Sequence, residues 1–304
     1  RNEYEGEIKS INYDQFKKLG SIEFGQIREV IDKKIPKYIA TPIRDHQKKA
    51  INKVIKYFKD NSRGKLIHCC GSGKTLTSYH IFKELDPELT VFVVPGLQLV
   101  RQTLLAWTKE SLSYDSTISP LLICSDKSNE KLEYDPFLWL EDIGIKVSNK
   151  IDDFIKFLKK ESFKKVIFCT YQSANILIKN CKETNTQIDL AIFDEAHNTV
   201  TKRDKLFSQL LDDNNLVIKK RLFMTATPKN FIGKKEEVCS MDNEDLYGDE
   251  IDEFTIKDAI EAKILNDYRI LTPKVSSEEC KKLIEDNPYI FDKKKLSKEV
   301  ELKL

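Results

Sequence analysis

A doubly wound α/β domain on a parallel sheet is predicted by three features: short apolar runs, helix-length spacers between them, and a phosphate-loop sequence directly after the first run. The runs are Leu66-Ile67, Val91-Phe92-Val93-Val94, Leu121-Leu122-Ile123-Cys124, Val166-Ile167-Phe168-Cys169, Leu190-Ala191-Ile192-Phe193 and Leu222-Phe223-Met224. Continuous rather than alternating apolar character is what strands covered on both faces require.

Before the first run, Ala50, Ile51, Val54, Ile55 and Phe58 recur at helical spacing between Arg44 and Lys59, which predicts an amphipathic helix. The spacers Thr75 to Glu84, Leu97 to Glu110, Ile151 to Lys160 and Lys205 to Leu211 are helical candidates, each suited to a right-handed crossover. Ile35-Pro36 and Thr41-Pro42 punctuate the start, so residues 1–40 read as an N-terminal extension, 41–272 as the α/β domain, and 273–304 as a Lys/Glu-rich helical tail, linker or start of a further domain. The acidic stretch 234–253 reads as solvated surface without chemistry.

The composition narrows the function classes. Lys plus Arg number 51 against 49 Asp plus Glu, so a generally basic, DNA-coating surface is ruled out and any nucleic-acid contact is local. The 7 cysteines form an odd set without a C-x-x-C pair, as expected of buried thiols in a reducing, cytoplasmic or otherwise intracellular setting, with nuclear and viral settings left open. No apolar run is long enough to span a bilayer, so no membrane partner is expected. The start at Arg1-Asn2-Glu3, without methionine or signal pattern, suggests a piece of a longer soluble chain.

The chemistry centres on Leu66-Ile67-His68-Cys69-Cys70-Gly71-Ser72-Gly73-Lys74-Thr75, a strand, a glycine turn and a helix start. Backbone amides and a helix N-terminus there face an anion, glycine admits phosphates close to the backbone, Lys74 neutralises their charge, and the Thr75 hydroxyl suits magnesium. ATP and magnesium are therefore the expected cofactors, although His68 replaces the first glycine of the generic pattern. Asp194-Glu195-Ala196-His197 follows the run Leu190 to Phe193, which sets two carboxylates at the C-terminal edge of the sheet. There Asp194 would hold magnesium and Glu195 would polarise the water attacking the γ-phosphate; a bare acidic turn or helix cap is the simpler alternative. His46, His68 and His80 are too scattered for a metal site, and structural roles are expected.

In this order the blocks resemble the superfamily 2 helicases and translocases, in the restriction-enzyme-like branch, over roughly residues 41–272. Arg44-Asp45-His46-Gln47 looks like the adenine-reading block, with Arg44 and Gln47 as cofactor-binding candidates beside Gly71, Ser72, Gly73, Lys74 and Thr75. Asp194 to His197 looks like the DEAH form of the second motif, and Thr225-Ala226-Thr227-Pro228 resembles the third. The resemblance implies that His197, Thr225 and Thr227 couple the ATP site to nucleic acid.

Val94-Pro95-Gly96 through Arg101-Gln102 to Trp107, and Thr170-Tyr171-Gln172-Ser173, look like the nucleic-acid motifs. Pro95, Gly96, Arg101, Gln102, Thr170, Tyr171 and Gln172 are the implied strand contacts. Arg101 as a surface cation, Gln102 as a packing residue and Tyr171 as a core aromatic are the competing readings. Tyr247-Gly248, Phe254, Ala259-Ile260, Ala262, Ile264-Leu265 and Tyr268 are similar to the segment after the third motif in the restriction-enzyme-like branch, which favours DNA over RNA.

The resemblance further implies a first RecA-like domain with catalytic Lys74, Asp194 and Glu195, acting with a second RecA-like domain elsewhere in the parent chain. By itself the fragment is expected to bind ATP and turn it over weakly. A motor within a restriction-type endonuclease complex with a nuclease partner, and a non-enzymatic ATP-gated binding module, are the alternatives.

Overall fold

The computed structural model describes residues 39–114, 116, 118–124, 148–160, 164–201, 206–230 and 238–267. Expectations for the extension, for Tyr268, for the tail and for Cys280 lie outside the described residues. The α/β class is as the sequence predicts: a 7-stranded sheet in the order β3-β4-β2-β5-β6-β1-β7, every pairing parallel.

Helix α1 (Asp45–Tyr57) precedes β1 (Arg63–His68), and α2 (Lys74–Leu85) carries the chain to β2 (Leu89–Val94). Then come α3 (Leu97–Ser113), β3 (Ile118–Ile123), α4 (Ile151–Leu158) and β4 (Lys164–Thr170). α5 (Ala174–Thr184), β5 (Ile188–Asp194) and β6 (Ile218–Thr225) follow. From β1 the chain steps outward through β2 to the edge strand β3 and returns through β4, β5 and β6, so right-handed crossovers place helices on both faces.

The two faces have separate cores, sorted by the period of 2 along each strand. Phe92, Val94, Phe168 and Ile192 pack with Trp107, Tyr79 and Val54 of α3, α2 and α1. Val93, Cys169 and Phe193 pack with Phe154, Leu177 and Tyr171 on the other face.

Two expectations change. Lys205 itself lies outside the described residues, and Leu206–Leu211 form a 3-10 segment rather than an α-helix. Six residues closed by the Asp212 to Asn215 turn are too few to nucleate an α-helix, and Arg63 takes the Leu211 carbonyl at 2.9 Å. The acidic stretch is not merely solvated surface: after the short helix α6 (Glu244–Tyr247), Asp249–Phe254 form the edge strand β7 beside β1, followed by α7 (Ile256–Glu261).

Gly248 makes that pairing possible. Its φ is +70°, and a Cβ there would lie 1.9 Å from the Arg63 carbonyl oxygen, so only glycine lets β7 start this close to β1. No helix among the described residues is long and apolar enough to cross a membrane.

Candidate nucleotide site

The sheet order sets the geometry. β6 lies between β1 and β5, with Ile67 beside Thr225 and Asp194 beside Met224, so the loop after β1 and the carboxylates after β5 flank the end of β6.

Gly71 and Gly73 adopt φ of +80° and +87°, left-handed values that turn the chain into α2. The loop is tied down through its carbonyls: His46 Nε2 donates to Ser72 O at 2.8 Å, Gln47 Nε2 to Gly73 O at 3.1 Å, and Lys74 Nζ to His68 O at 3.2 Å. A trans peptide points its N–H away from its C=O, so the Gly73 and Lys74 amides face the opposite side of the loop. Those amides and the N-terminus of α2 make an anion cradle. Ser72 Oγ is buried without a hydrogen-bond partner among the described residues, a donor that a phosphate oxygen would satisfy.

Across β6, Asp194 ends β5 and accepts the Glu195 amide at Oδ1, 3.1 Å, while its carbonyl accepts from the Tyr171 hydroxyl at 2.9 Å. Glu195 has φ 49° and ψ 49°, a left-handed backbone uncommon for a side-chain-bearing residue, held by Asn198 Nδ2 donating to its carbonyl at 2.8 Å. That turn directs the carboxylate over the end of β6: Oε1 is 3.9 Å from Lys74 Nζ, and Oε2 is 3.3 Å from His197 Nδ1. Thr225 Oγ1 sits 2.9 Å from His197 Nδ1 and 3.5 Å from Glu195 Oε2, and accepts the Thr227 amide at 3.2 Å.

Burial, and then the neighbouring Glu195 charge, push the Asp194 carboxyl up to about 6, against the pull of Lys74. Burial, then Lys229, lowers His197, which is therefore neutral near pH 7, against the opposing effect of Glu195. Magnesium fits the donors here: a carboxylate deprived of water beside a second carboxylate is only partly compensated by Lys74, and hard oxygen ligands suit that ion. Thr75 is partly buried in the first turn of α2, on the β1 side of the same cleft.

The adenine-reading expectation meets a different arrangement. Gln47 is 2% exposed, and both ends of its carboxamide are engaged inside the chain, Nε2 to Gly73 O and Oε1 accepting the Arg44 amide at 2.9 Å. Arg44 precedes α1, with its side chain exposed.

The nucleic-acid blocks come together at the ends of adjacent strands, since Val94 is paired with Thr170. Pro95 and Gly96 form the partly buried turn into α3; Arg101 is partly buried and Gln102 exposed on that helix. Gln172 is exposed, whereas the Thr170 hydroxyl bonds Ser173 Oγ at 2.9 Å. Tyr171 is a correction: its ring is 1% exposed in the core and its hydroxyl holds Asp194, so it is a core aromatic rather than a strand contact.

Sequence reasoning gave Asp252 no chemistry and, although Phe254 and Leu265 stood in the segment after the third motif, gave neither a place at the loop. Asp252 Oδ2 meets His68 Nε2 at 3.0 Å, Phe254 stacks on His46 at 4.2 Å, and Leu265 Cδ2 lies 3.0 Å from where a Gly71 Cβ would stand. The one available signal was His68 itself, an imidazole in a glycine position that needs a partner once buried.

The family model of the type III restriction enzyme res subunit matches residues 40–230. A probable helicase, A859L, of African swine fever virus (isolate Tick/Malawi/Lil 20-1/1983) is 30% identical over 246 residues, covering 78% of this chain and 25% of the relative. Its counterpart in isolate Tick/South Africa/Pretoriuskop Pr4/1996 is 28% identical with the same coverage. The chain thus spans about a quarter of the length of these relatives.

Among solved structures, a nuclease-deletion mutant of the type ISP restriction-modification enzyme LlaGI in complex with a DNA substrate mimic matches with TM-score 0.59 and 30% identity, over 74% of this chain and 21% of that one. The ATP-dependent type ISP enzyme LlaBIII bound to DNA matches with TM-score 0.62 and 28% identity, over 76% of this chain and 16% of that one.

Proposed function

The chain belongs to the type III restriction enzyme res subunit family as a superfamily 2 helicase RecA-like domain, and from that premise we propose that it is the ATP-hydrolysing half of a DNA helicase or translocase motor. The observation that carries the reading is the closure of the cleft: Glu195 Oε1 stands 3.9 Å from Lys74 Nζ across the end of β6.

In this reading Gly71, Ser72, Gly73 and Lys74 hold the ATP phosphates, with Arg44 and Gln47 at the edge of the same site. Magnesium would be held by Thr75 and Asp194, and when bound it supplies charge neutralisation of the phosphates. Glu195 polarises the attacking water, and the DEAH-like segment acts through His197 to Thr225 and Thr227. Residues 41–272 make up this domain, 1–40 an extension, and 273–304 the lead into a second RecA-like domain that completes the site. The Pro95-Gly96 turn, Arg101, Gln102, Thr170 and Gln172 form the nucleic-acid face.

Coupling to a nuclease in a restriction-type assembly is favoured by the two type ISP relatives, one bound to DNA and the other to a DNA substrate mimic. The test is DNA-stimulated ATP hydrolysis by the full-length parent protein. Lys74→Ala and Glu195→Gln should each abolish it, and full activity in both variants would sink the reading.

A further inference from the structure

We propose that β7, α7 and Leu265 form a strap that positions the phosphate loop from behind, with Asp252, Phe254 and Leu265 as positioning residues acting through His68, His46 and Gly71. The inference rests on the reading of Gly71 to Thr75 as a nucleotide site, and concerns what shapes that site.

Asp252 is 5% exposed on a strand whose neighbouring residues Asp249, Glu250 and Glu253 face solvent. A buried carboxylate is costly unless paired. It is paired twice: Oδ2 meets His68 Nε2 at 3.0 Å, and Oδ1 accepts from Lys53 Nζ at 2.6 Å. His68, 0% exposed, is also the residue whose carbonyl receives Lys74 Nζ, so the pair fixes the anchor of the phosphate-binding lysine.

Two residue pairs beyond Asp252 on the same ladder, Phe254 supports the other side of the loop. Its carbonyl accepts the Cys69 amide at 3.0 Å, and its ring lies against His46 with 9° between planes. His46 in turn donates to Ser72 O, and stacking fixes the ring plane that aims the donor.

After α7 the left-handed Lys263, φ 55°, turns the chain back, and Ile264 and Leu265 donate to the Ala259 carbonyl at 2.8 and 3.1 Å. Leu265 thereby reaches the Gly71 turn, its Cδ2 3.0 Å from where a Cβ on that exposed glycine would stand, and it is the last residue of the compact unit that ends there. A glycine turn before a helix needs none of this. Because coupling is reciprocal, a strap that shapes the loop also feels what the loop binds, and the chain leaving at Leu265 is tied to nucleotide occupancy.

The test measures the Kd of a fluorescent ADP analogue with magnesium for the 304-residue chain, well below the melting transition recorded for each variant. Asp252→Asn and Phe254→Leu should each weaken binding about 10-fold, a typical coupling between linked sites. Asp249→Asn, on the same strand but bonded to Tyr57, should bind as the wild type does. His68→Asn combined with Asp252→Asn should weaken binding no further than Asp252→Asn alone. Folded Asp252→Asn and Phe254→Leu proteins with wild-type affinity overturn the strap; if Asp252→Asn does not fold, Phe254→Leu and Leu265→Ala decide. Wild-type binding no tighter than that of Lys74→Ala overturns the nucleotide-site reading instead.

Discussion

His197 Nδ1 and Thr225 Oγ1 stand 2.9 Å apart, joining the turn after β5 to the end of β6. The same hydroxyl accepts the Thr227 amide, so any shift of His197 is felt at the exposed residues that follow β6. Neither His197 nor Thr225 belongs to the phosphate cradle. His197→Ala in the full-length protein should therefore leave nucleotide affinity within about 2-fold while lowering DNA-stimulated turnover about 10-fold or more, the signature of a lost transition-state contribution. A matched loss of affinity and turnover would place His197 in ground-state binding.

Gly248 offers a test of the β7 register. Gly248→Ala drives a Cβ into the Arg63 carbonyl oxygen at 1.9 Å and meets a φ of +70°. Backbone rather than a flexible side chain must move, so the loss of stability should be about 3 kcal/mol or more. Urea denaturation followed by circular dichroism reads it, and a change under about 1 kcal/mol would contradict the close approach of β7 to β1.

The sheet was legible because its central strands are buried on both faces: Val91 to Val94 and Leu190 to Phe193 can be nothing but core. β7 was not legible for the opposite reason. On an edge strand the solvent-facing Asp249, Glu250 and Glu253 are tolerated, and the one inward carboxylate, Asp252, is acceptable because His68, 184 positions away, and Lys53 receive it. The loop and the acid pair could be recognised because their spacing is local. What holds the loop could not: Gln47 reads as a contact for the base rather than for the Gly73 carbonyl, and Asp252 looks like any surface aspartate until the fold brings its partners. Tyr171 failed as a strand contact because exposure, not residue type, separates a stacking aromatic from a core one.

Asp213 carries a pH prediction. Burial alone would raise its carboxyl, but Arg221 at 2.7 Å and Arg63 at 2.8 Å outweigh that and hold it below its ordinary value. A depressed carboxylate contributes stability above its unfolded value near 3.8, and that contribution is lost as pH falls through the folded value. Asp213 is 65% exposed, so solvent screens the pair and Asp213→Asn should cost only about 1 kcal/mol at pH 7. The wild type's advantage in urea midpoint should be flat between about pH 5 and 8 and fade as pH falls below about 3.8 and through the lowered folded value. An advantage that persists in acid would show that the asparagine loses packing rather than charge.

Gln47 separates two ways in which one residue can serve a nucleotide. If its carboxamide reads the base, Gln47→Ala should erase any preference for adenine over guanine nucleotides. The geometry argues otherwise, since Nε2 is spent on Gly73 O and Oε1 on the Arg44 amide. Acting through the loop, Gln47→Ala should weaken binding of every nucleotide by about the same factor, up to about 10-fold for one lost hydrogen bond, since the Gly73 carbonyl keeps the Thr77 amide and hydroxyl but loses its tie to α1. Gln47→Glu is the sharper variant. It keeps the acceptor for Arg44 but turns an oxygen toward the Gly73 carbonyl where a donor stood, so it should bind nucleotide less well than Gln47→Ala despite its closer shape. Affinities of fluorescent ADP and GDP analogues for the three proteins decide between the roles: parallel losses with glutamate below alanine support the brace, and a change in the ADP-to-GDP ratio supports base reading.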